Sequence, residues 1–285
     1  MSAAPVTVKA LRGALGERAA ALDIECVAET GSTNADLLAW ARNEAADYRP
    51  RLLVAERQTA GRGRHGRRWH AEPGASLTFS LAWPLRAKEL SGLSLAVGVA
   101  IAEAIDPAQE KRRHVGLKWP NDLWLVGADG QGRKLGGILI ETAPIDIGRV
   151  AVVGVGLNVF EQRVAEASSG IAWLREIDAL ATPLAVLVRI VPALIDALER
   201  FDGEGFAAFA ARFADRDLLC GRPVQCSGSA GARSIDGVAV GVSRSGELLV
   251  STAQGVEAIG SGEVSARLAE GHAAAPTAEA ARLPC

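Results

Sequence analysis

Between Gln58 and Trp69 the chain reads QTAGRGRHGRRW, a run of arginines and glycines that offers little to a core before its closing tryptophan. Four arginines (Arg62, Arg64, Arg67, Arg68) repel one another at this spacing, while Gly61, Gly63 and Gly66 remove side-chain packing and stiffness. The stretch must be a loop, and the elements on either side must return to a shared core without it. Left alone, such a loop is expected to be mobile. An arriving polyanion settles it, because guanidinium forks bind phosphate or carboxylate oxygens in pairs and backbone N–H groups add donors. The competing reading is a solvated basic loop, and the segments that accompany it decide between the two.

The positive charge is local. A net charge of −2 over 285 residues argues against a general nucleic-acid or membrane-surface protein. With 49% hydrophobic residues the chain can build one large domain, or a medium one and a small one. No basic-then-apolar leader opens it and no apolar run reaches membrane-spanning length, so a cytoplasmic protein is expected. Cys26, Cys220, Cys226 and Cys285 form no CxxC pair, which reads as buried or incidental thiols in a reducing compartment.

Taken in order, residues 1–22 offer one short helix (Val8, Leu11, Leu15), too little for a three-helix DNA-binding module. A strand is expected over 24–29. Gly31-Ser32-Thr33-Asn34 then starts a helix, with Thr33 and Asp36 as a capping box and Leu37, Leu38, Ala41 and Ala45 as its apolar stripe. The free N–H groups of that helix start also suit a polar ligand. A strand over 52–56 leads into the arginine loop. After it, 76–83 alternates as a half-buried strand with Leu77, Phe79, Leu81 and Trp83 on one face.

Residues 93–105 read as a buried helix. Strands at 115–118 and 123–126 flank a Pro120-Asn121-Asp122 turn, and two more follow at 135–141 and 150–159. Gly127 to Lys134 fails as a P-loop because the lysine comes one place late and Leu135 replaces the required Ser or Thr. Gly154-Val155-Gly156 lacks the third glycine of a dinucleotide fingerprint. A helix over 183–201 contains Pro192, where a kink or break is expected, and a second helical piece spans 206–213. From about Asp217 short strands alternate with glycine turns, the texture of a small barrel. The Ala-rich end beyond Ala269 has little to bury and is expected to be disordered.

Five separated segments together resemble one family. Gly31-Ser32-Thr33-Asn34, the arginine loop, Lys118-Trp119-Pro120-Asn121-Asp122, Lys134-Leu135-Gly136-Gly137-Ile138-Leu139-Ile140-Glu141 and Val153-Gly154-Val155-Gly156-Leu157-Asn158-Val159 are similar, in order, to conserved segments of biotin–protein ligases. Gly262-Glu263-Val264-Ser265 resembles the family's closing strand. The resemblance implies an α+β fold, with a mixed-sheet catalytic domain over 24–216 and a small SH3-like β-barrel over 217–268. A 1–23 extension and a 269–285 tail complete it. The implied reaction is AMP-forming ligation. Biotin's carboxylate attacks the α-phosphate of ATP, giving biotinyl-5'-AMP and pyrophosphate, and a lysine of a biotin carboxyl carrier domain then displaces AMP. The implied partner is acetyl-CoA carboxylase or another biotin-dependent carboxylase.

The same resemblance assigns site residues. Arg62, Arg64 and Lys118 would supply positive charge where anion meets anion. Ser32, Thr33, Asn34 and Gln58 would hydrogen-bond the ureido ring, with Gly63, Gly136 and Gly137 allowing close approach. Arg67, Trp69 and Asn158 would face the nucleotide, Trp69 by stacking on adenine or by closing the loop onto the core. His65 reads as a loop residue, since a carboxylate already ionised needs no base. None of the four histidines pairs with another at ligand spacing, so no protein-bound metal is expected and Mg²⁺ should come with ATP. No DNA or membrane contact is expected, and the chain should be a monomer or weak homodimer. Two alternatives remain: a biotin-responsive repressor, for which about thirty residues before Ser32 leave no room, and a lipoate ligase.

Overall fold

The computed structural model describes residues 4–43, 49–107, 114–127, 132–146, 148–162, 170–227, 234–261 and 265–268. Helices α1 (Val8–Leu15), α2 (Thr33–Asn43), α3 (Leu93–Ile105), α4 (Pro183–Glu204) and α5 (Ala210–Ala214) accompany two sheets. The first contains β1 (Asp23–Thr30), β2 (Arg51–Gln58), β3 (Ser76–Leu85), β4 (Val115–Lys118), β5 (Asp122–Val126), β6 (Gly132–Ile145) and β7 (Gly148–Asn158). The second contains β8 (Pro223–Ser227), β9 (Ile235–Val242), β10 (Leu248–Thr252), β11 (Gly255–Ile259) and β12 (Ser265–Leu268).

The first sheet runs β1-β2-β3-β7-β6-β5-β4. Its first pair is parallel and every other pair antiparallel, so it is a mixed sheet as expected. The second runs β11-β10-β9-β8-β12, antiparallel throughout. Both sheets contribute to one hydrophobic cluster, from Leu77 and Val97 to Val224, Ala239 and Val250. The joining segment continues the first sheet: Leu117 N–H donates to Arg216 O at 2.7 Å and Leu218 N–H to Leu117 O at 3.0 Å. Arg216, only 5% exposed, is anchored by Asp106 Oδ2 at 3.2 Å and by the Val115 carbonyl at 2.8 Å.

Several local expectations change. β3 is buried on both faces, not half-buried: Thr78 and Ser80 are as hidden as Phe79 and Leu81. The reason is a second layer. α3 and α4 cover one face, while Leu37, Leu38 and Ala41 of α2 cover the other beside Leu53 and Ala82. The capping box is also displaced. Ser32 caps α2, its carbonyl receiving Asp36 N–H at 3.0 Å, and the Asp36 carboxylate accepts from the Thr30 hydroxyl. Pro192 does not break α4. Burying Val186, Leu187, Ile190, Val191, Leu194 and Leu198 at about 2 kcal/mol each outweighs a proline cost of roughly 3 kcal/mol.

Cys26 and Cys226 are free thiols. Cys220 is disulfide-bonded, which corrects the expectation of four thiols. The 269–285 tail, residues 262–264 of the expected closing strand and Ala45 lie outside the described residues. No helix among the described residues is long and apolar enough to cross a membrane.

Candidate active site

Strand register decides which residues share a surface, because directly paired residues point to the same face. Ser80 pairs with Gly154 and Gly154 with Leu139; Gly156 pairs with Gly137 and Gly137 with Asp122, which in turn pairs with Lys118. These residues therefore lie on the α2 side of the sheet. Glycines 137, 154 and 156 make a floor without side chains, running from a polar corner under α2 to a charged corner at β5.

The polar corner is a chain of short hydrogen bonds. Thr33 N–H donates to Gln58 Oε1 at 2.8 Å, and Thr33 Oγ1 lies 3.1 Å from that oxygen and 2.7 Å from Ser80 Oγ. Ser80 donates to Asn34 Oδ1 at 2.6 Å, and Asn34 Nδ2 donates to Glu141 Oε2 at 2.9 Å and Leu139 O at 3.2 Å. Ser32, Thr33 and Asn34 are each no more than 4% exposed, and the Thr33–Ser80 and Ser80–Asn34 bonds form out of water. Gly154 makes the chain possible: a β-carbon there would stand 2.2 Å from Asn34 Oδ1. The four expected residues thus come together, and Ser80, Glu141 and Gly154 join them.

The arginine loop folds back on itself. Arg62 and Arg68 form an antiparallel bridge, Gly63 N–H donates to Arg67 O at 2.7 Å and Trp69 N–H to Gly61 O at 3.0 Å. A turn over Arg64–Gly66 closes it, with His65 in the left-handed region at φ 54°. Gly61 is required by this closure, since a β-carbon would meet Trp69 O at 2.6 Å. Arg68 is used locally, donating to Thr59 O at 3.0 Å, whereas Arg62 and Arg67 are exposed. Arg64 turns inward and donates to Ser261 O, so the loop touches the second sheet's segment. Burial pushes its guanidinium below the usual value, Arg67 adds to that, and Asp122 opposes it.

Asp122 is the hub of the charged corner. Lys134 Nζ lies 2.7 Å from its Oδ1, and Arg64 feels its field. Lys118, paired with Asp122 across the ladder, holds its ammonium 4.8 Å from the Trp124 ring centroid. Lys134 lay inside a recognised segment but was not among the expected charges. Only a bulge between Leu123 and Trp124 places it opposite Trp124 on the α2 face. The preceding turn is held from the second sheet: Trp119, 1% exposed, donates Nε1–H to Gly246 O at 3.1 Å, and the Trp119–Pro120 bond is cis.

Two expected residues sit differently. Gly136 faces the opposite side, where a β-carbon would meet Gly156 O at 2.6 Å and Leu157 Cδ1 at 2.9 Å; its glycine serves packing. Asn158 is 4% exposed, donates to Ala172 O at 3.1 Å and accepts from Gln162. Its side chain thus ties β7 to the segments at Ala172 and Gln162. Among the described residues no group of three or more His, Cys, Asp or Glu is placed to hold a metal ion.

Residues 27–158 match the biotin/lipoate A/B protein ligase family, and residues 219–267 match the biotin protein ligase C terminal domain. The bifunctional ligase/repressor BirA of Escherichia coli K12 is 36% identical over 225 residues, covering 76% of this chain and 66% of that protein. The chain thus spans about two thirds of the length of that relative. The biotin–[acetyl-CoA-carboxylase] ligase of Paracoccus denitrificans is 28% identical over 246 residues, covering 84% of this chain and 98% of the relative. Among solved structures, a biotin protein ligase from Aquifex aeolicus in complex with biotin and ATP superposes with a TM-score of 0.71 at 29% identity, covering 87% of this chain and 99% of that one.

Proposed function

The chain belongs to the biotin/lipoate A/B protein ligase family, and from that premise we propose that it ligates biotin to a lysine of a biotin carboxyl carrier domain, with ATP as the energy source. One observation carries the reading. A single sheet face joins a polar corner (buried Thr33 and Asn34 with half-buried Gln58) to a cationic corner (Arg64, Lys118, Lys134) across a glycine floor. That arrangement suits a ligand with a neutral hydrogen-bonding head, an apolar body and an anionic end.

In the first step the biotin carboxylate attacks the α-phosphorus of ATP. A C–O–P bond forms, the bond to the terminal diphosphate breaks, and pyrophosphate leaves. Two anions must meet, so Arg62, Arg64, Lys118 and Lys134 stabilise the charge gathered at phosphorus. Lys134 is already held by Asp122 and exchanges that partner for an incoming anion. Ser32, Thr33, Asn34 and Gln58 hold the ureido head, Gly63 and Gly137 admit the ring system, and Arg67 and Trp69 flank the nucleotide. Mg²⁺ arrives with ATP as part of that substrate. In the second step the acceptor amine attacks the acyl carbon, the acyl–phosphate bond breaks, AMP leaves and the nitrogen loses a proton. For this function the unit over 24–216 carries the chemistry and the unit over 217–268 supports it through Gly246 and Ser261.

Incubation with MgATP, a carrier domain and either biotin or lipoate, followed by intact mass of the carrier, tests the reading. The expected result is a carrier heavier by biotin less water. Modification by lipoate alone would replace it with the second ligase class.

A further inference from the structure

The hydrogen-bond chain under α2 has a direction, set by a carboxylate at one end with a backbone carbonyl beside it. Asn34 Nδ2 faces Glu141 Oε2 at 2.9 Å and Leu139 O at 3.2 Å. A carboxylate and a carbonyl only accept, so the Asn34 amide has one allowed orientation, with Oδ1 toward β3. Ser80, 2.6 Å from that oxygen, must donate to it. With its one proton committed, Ser80 can only accept from Thr33 Oγ1, the nearer of that hydroxyl's two neighbours at 2.7 Å. Thr33 is then left with a lone pair. Gln58 Oε1 is held by the Thr33 N–H at 2.8 Å, which turns Nε2 toward Gly61, where a β-carbon would stand 3.3 Å from it. The Thr33 and Ser80 hydroxyl protons and one Asn34 amide proton thus point toward Glu141. What remains at the far end is an acceptor on Thr33 beside a donor on Gln58.

We infer that Glu141 is a positioning residue that fixes the polarity of the Asn34–Ser80–Thr33 chain, so that the site selects a ligand carrying an N–H beside a C=O. The inference rests on the biotin reading above and deepens it. A cyclic urea has both groups. A 1,2-dithiolane has neither, and on burial it would leave Thr33 and Gln58 unpaired, the situation in which polar sites reject analogues by orders of magnitude. The chain is built for this: Asn34 lies across Gly154, between Ser80 on β3 and Leu139 on β6, three residues in register on adjacent strands.

Glu141→Gln keeps the volume but replaces the charged, accept-only partner with an amide that can donate as well as accept. A flip of Asn34 is then opposed only by the weaker Leu139 carbonyl at 3.2 Å, and the polarity of the chain is loosened. The expected result is a KM for biotin raised at least tenfold, with the KM for ATP and kcat at saturating biotin within about threefold, and a lower ratio of biotin to lipoate use. Ser80→Ala cuts the chain without touching Glu141. On that background Glu141→Gln should add less than twofold, which a merely structural role for Glu141 would not produce. A biotin KM within twofold of wild type, an equal rise in the KM for ATP, or independent effects of the two substitutions would overturn the inference. Wild-type protein active with lipoate and inactive with biotin would instead sink the functional reading beneath it.

Discussion

Trp69 lies so close to Gly156 that a β-carbon on the glycine would stand 2.3 Å from Cε2 of the indole. The loop therefore ends with an aromatic ring pressed on the glycine floor. Its Nε1–H is buried without a hydrogen-bond partner among the described residues. Gly156→Ala should expel the indole. An overpacked site costs about 1–3 kcal/mol, or roughly tenfold or more in the KM for ATP at about 1.4 kcal/mol per decade. The KM for biotin should change less. Unchanged ATP kinetics, with tryptophan fluorescence also unchanged, would show that Trp69 does not shape the nucleotide site.

Lys134 and Lys118 share the face that carries Asp122, and Lys134 Nζ lies 2.7 Å from its Oδ1. Lys134→Ala should lower adenylate formation by roughly a hundredfold, the scale for one preorganised charge, and Lys118→Ala should also cost roughly a hundredfold. The assay is single-turnover pyrophosphate release. A loss of only a few-fold for either lysine would remove it from the transition-state set.

Asp217 opens the segment that joins the sheets. Burial pushes its carboxyl from 3.8 up to about 6, although the N–H groups of Leu219 and Cys220 pull it down. Oδ2 is buried without a hydrogen-bond partner among the described residues. Because the folded value lies above the unfolded one, the fold favours the protonated form. This contribution is fully present below about pH 4 and is lost as pH rises through about 6. Its size is of order 3 kcal/mol at most. Asp217→Asn keeps an acceptor for Leu219 N–H, now at 2.9 Å, and removes the charge. It should stabilise the protein against urea by about 1–3 kcal/mol at pH 8 and do little at pH 4. Equal effects at both pH values would refute the assignment.

The arginine loop supplies its own assay. Arg62 and Arg67 are exposed on either side of the turn over Arg64–Gly66. Trypsin should cut here readily in the free protein and far more slowly with a non-hydrolysable biotinyl-adenylate analogue bound, as the arginines close over an anion. Equal cleavage rates at saturation would mean that the arginines act from an already rigid site.

Much of the fold was legible because its signals are local. The apolar run of α3, the capped start of α2, the Pro-Asn-Asp turn after Lys118 and the glycine-spaced strands after Asp217 each follow from neighbours within a few residues. The burial of Thr78 and Ser80 was not legible, because alternation alone sends small polar residues to solvent. They turn inward because α2 lies over that face and gives Ser80 two partners from residues 46 and 47 positions away.

The site divides in the same way. By itself the sequence determined which chemical groups are available: a loop of arginines and glycines, a polar helix start, lysines at strand ends and glycines within strands. Tertiary structure alone decided which of them meet. Gly137 joins the floor while Gly136 serves packing, and Lys134 reaches Asp122 across a bulge. Glu141 receives the Asn34 amide from 107 residues away. Side chains alternate with a period of two, so a shift of one residue in register would send every one of these groups to the other face. That register is set by pairing between strands distant in the chain, which no local pattern specifies.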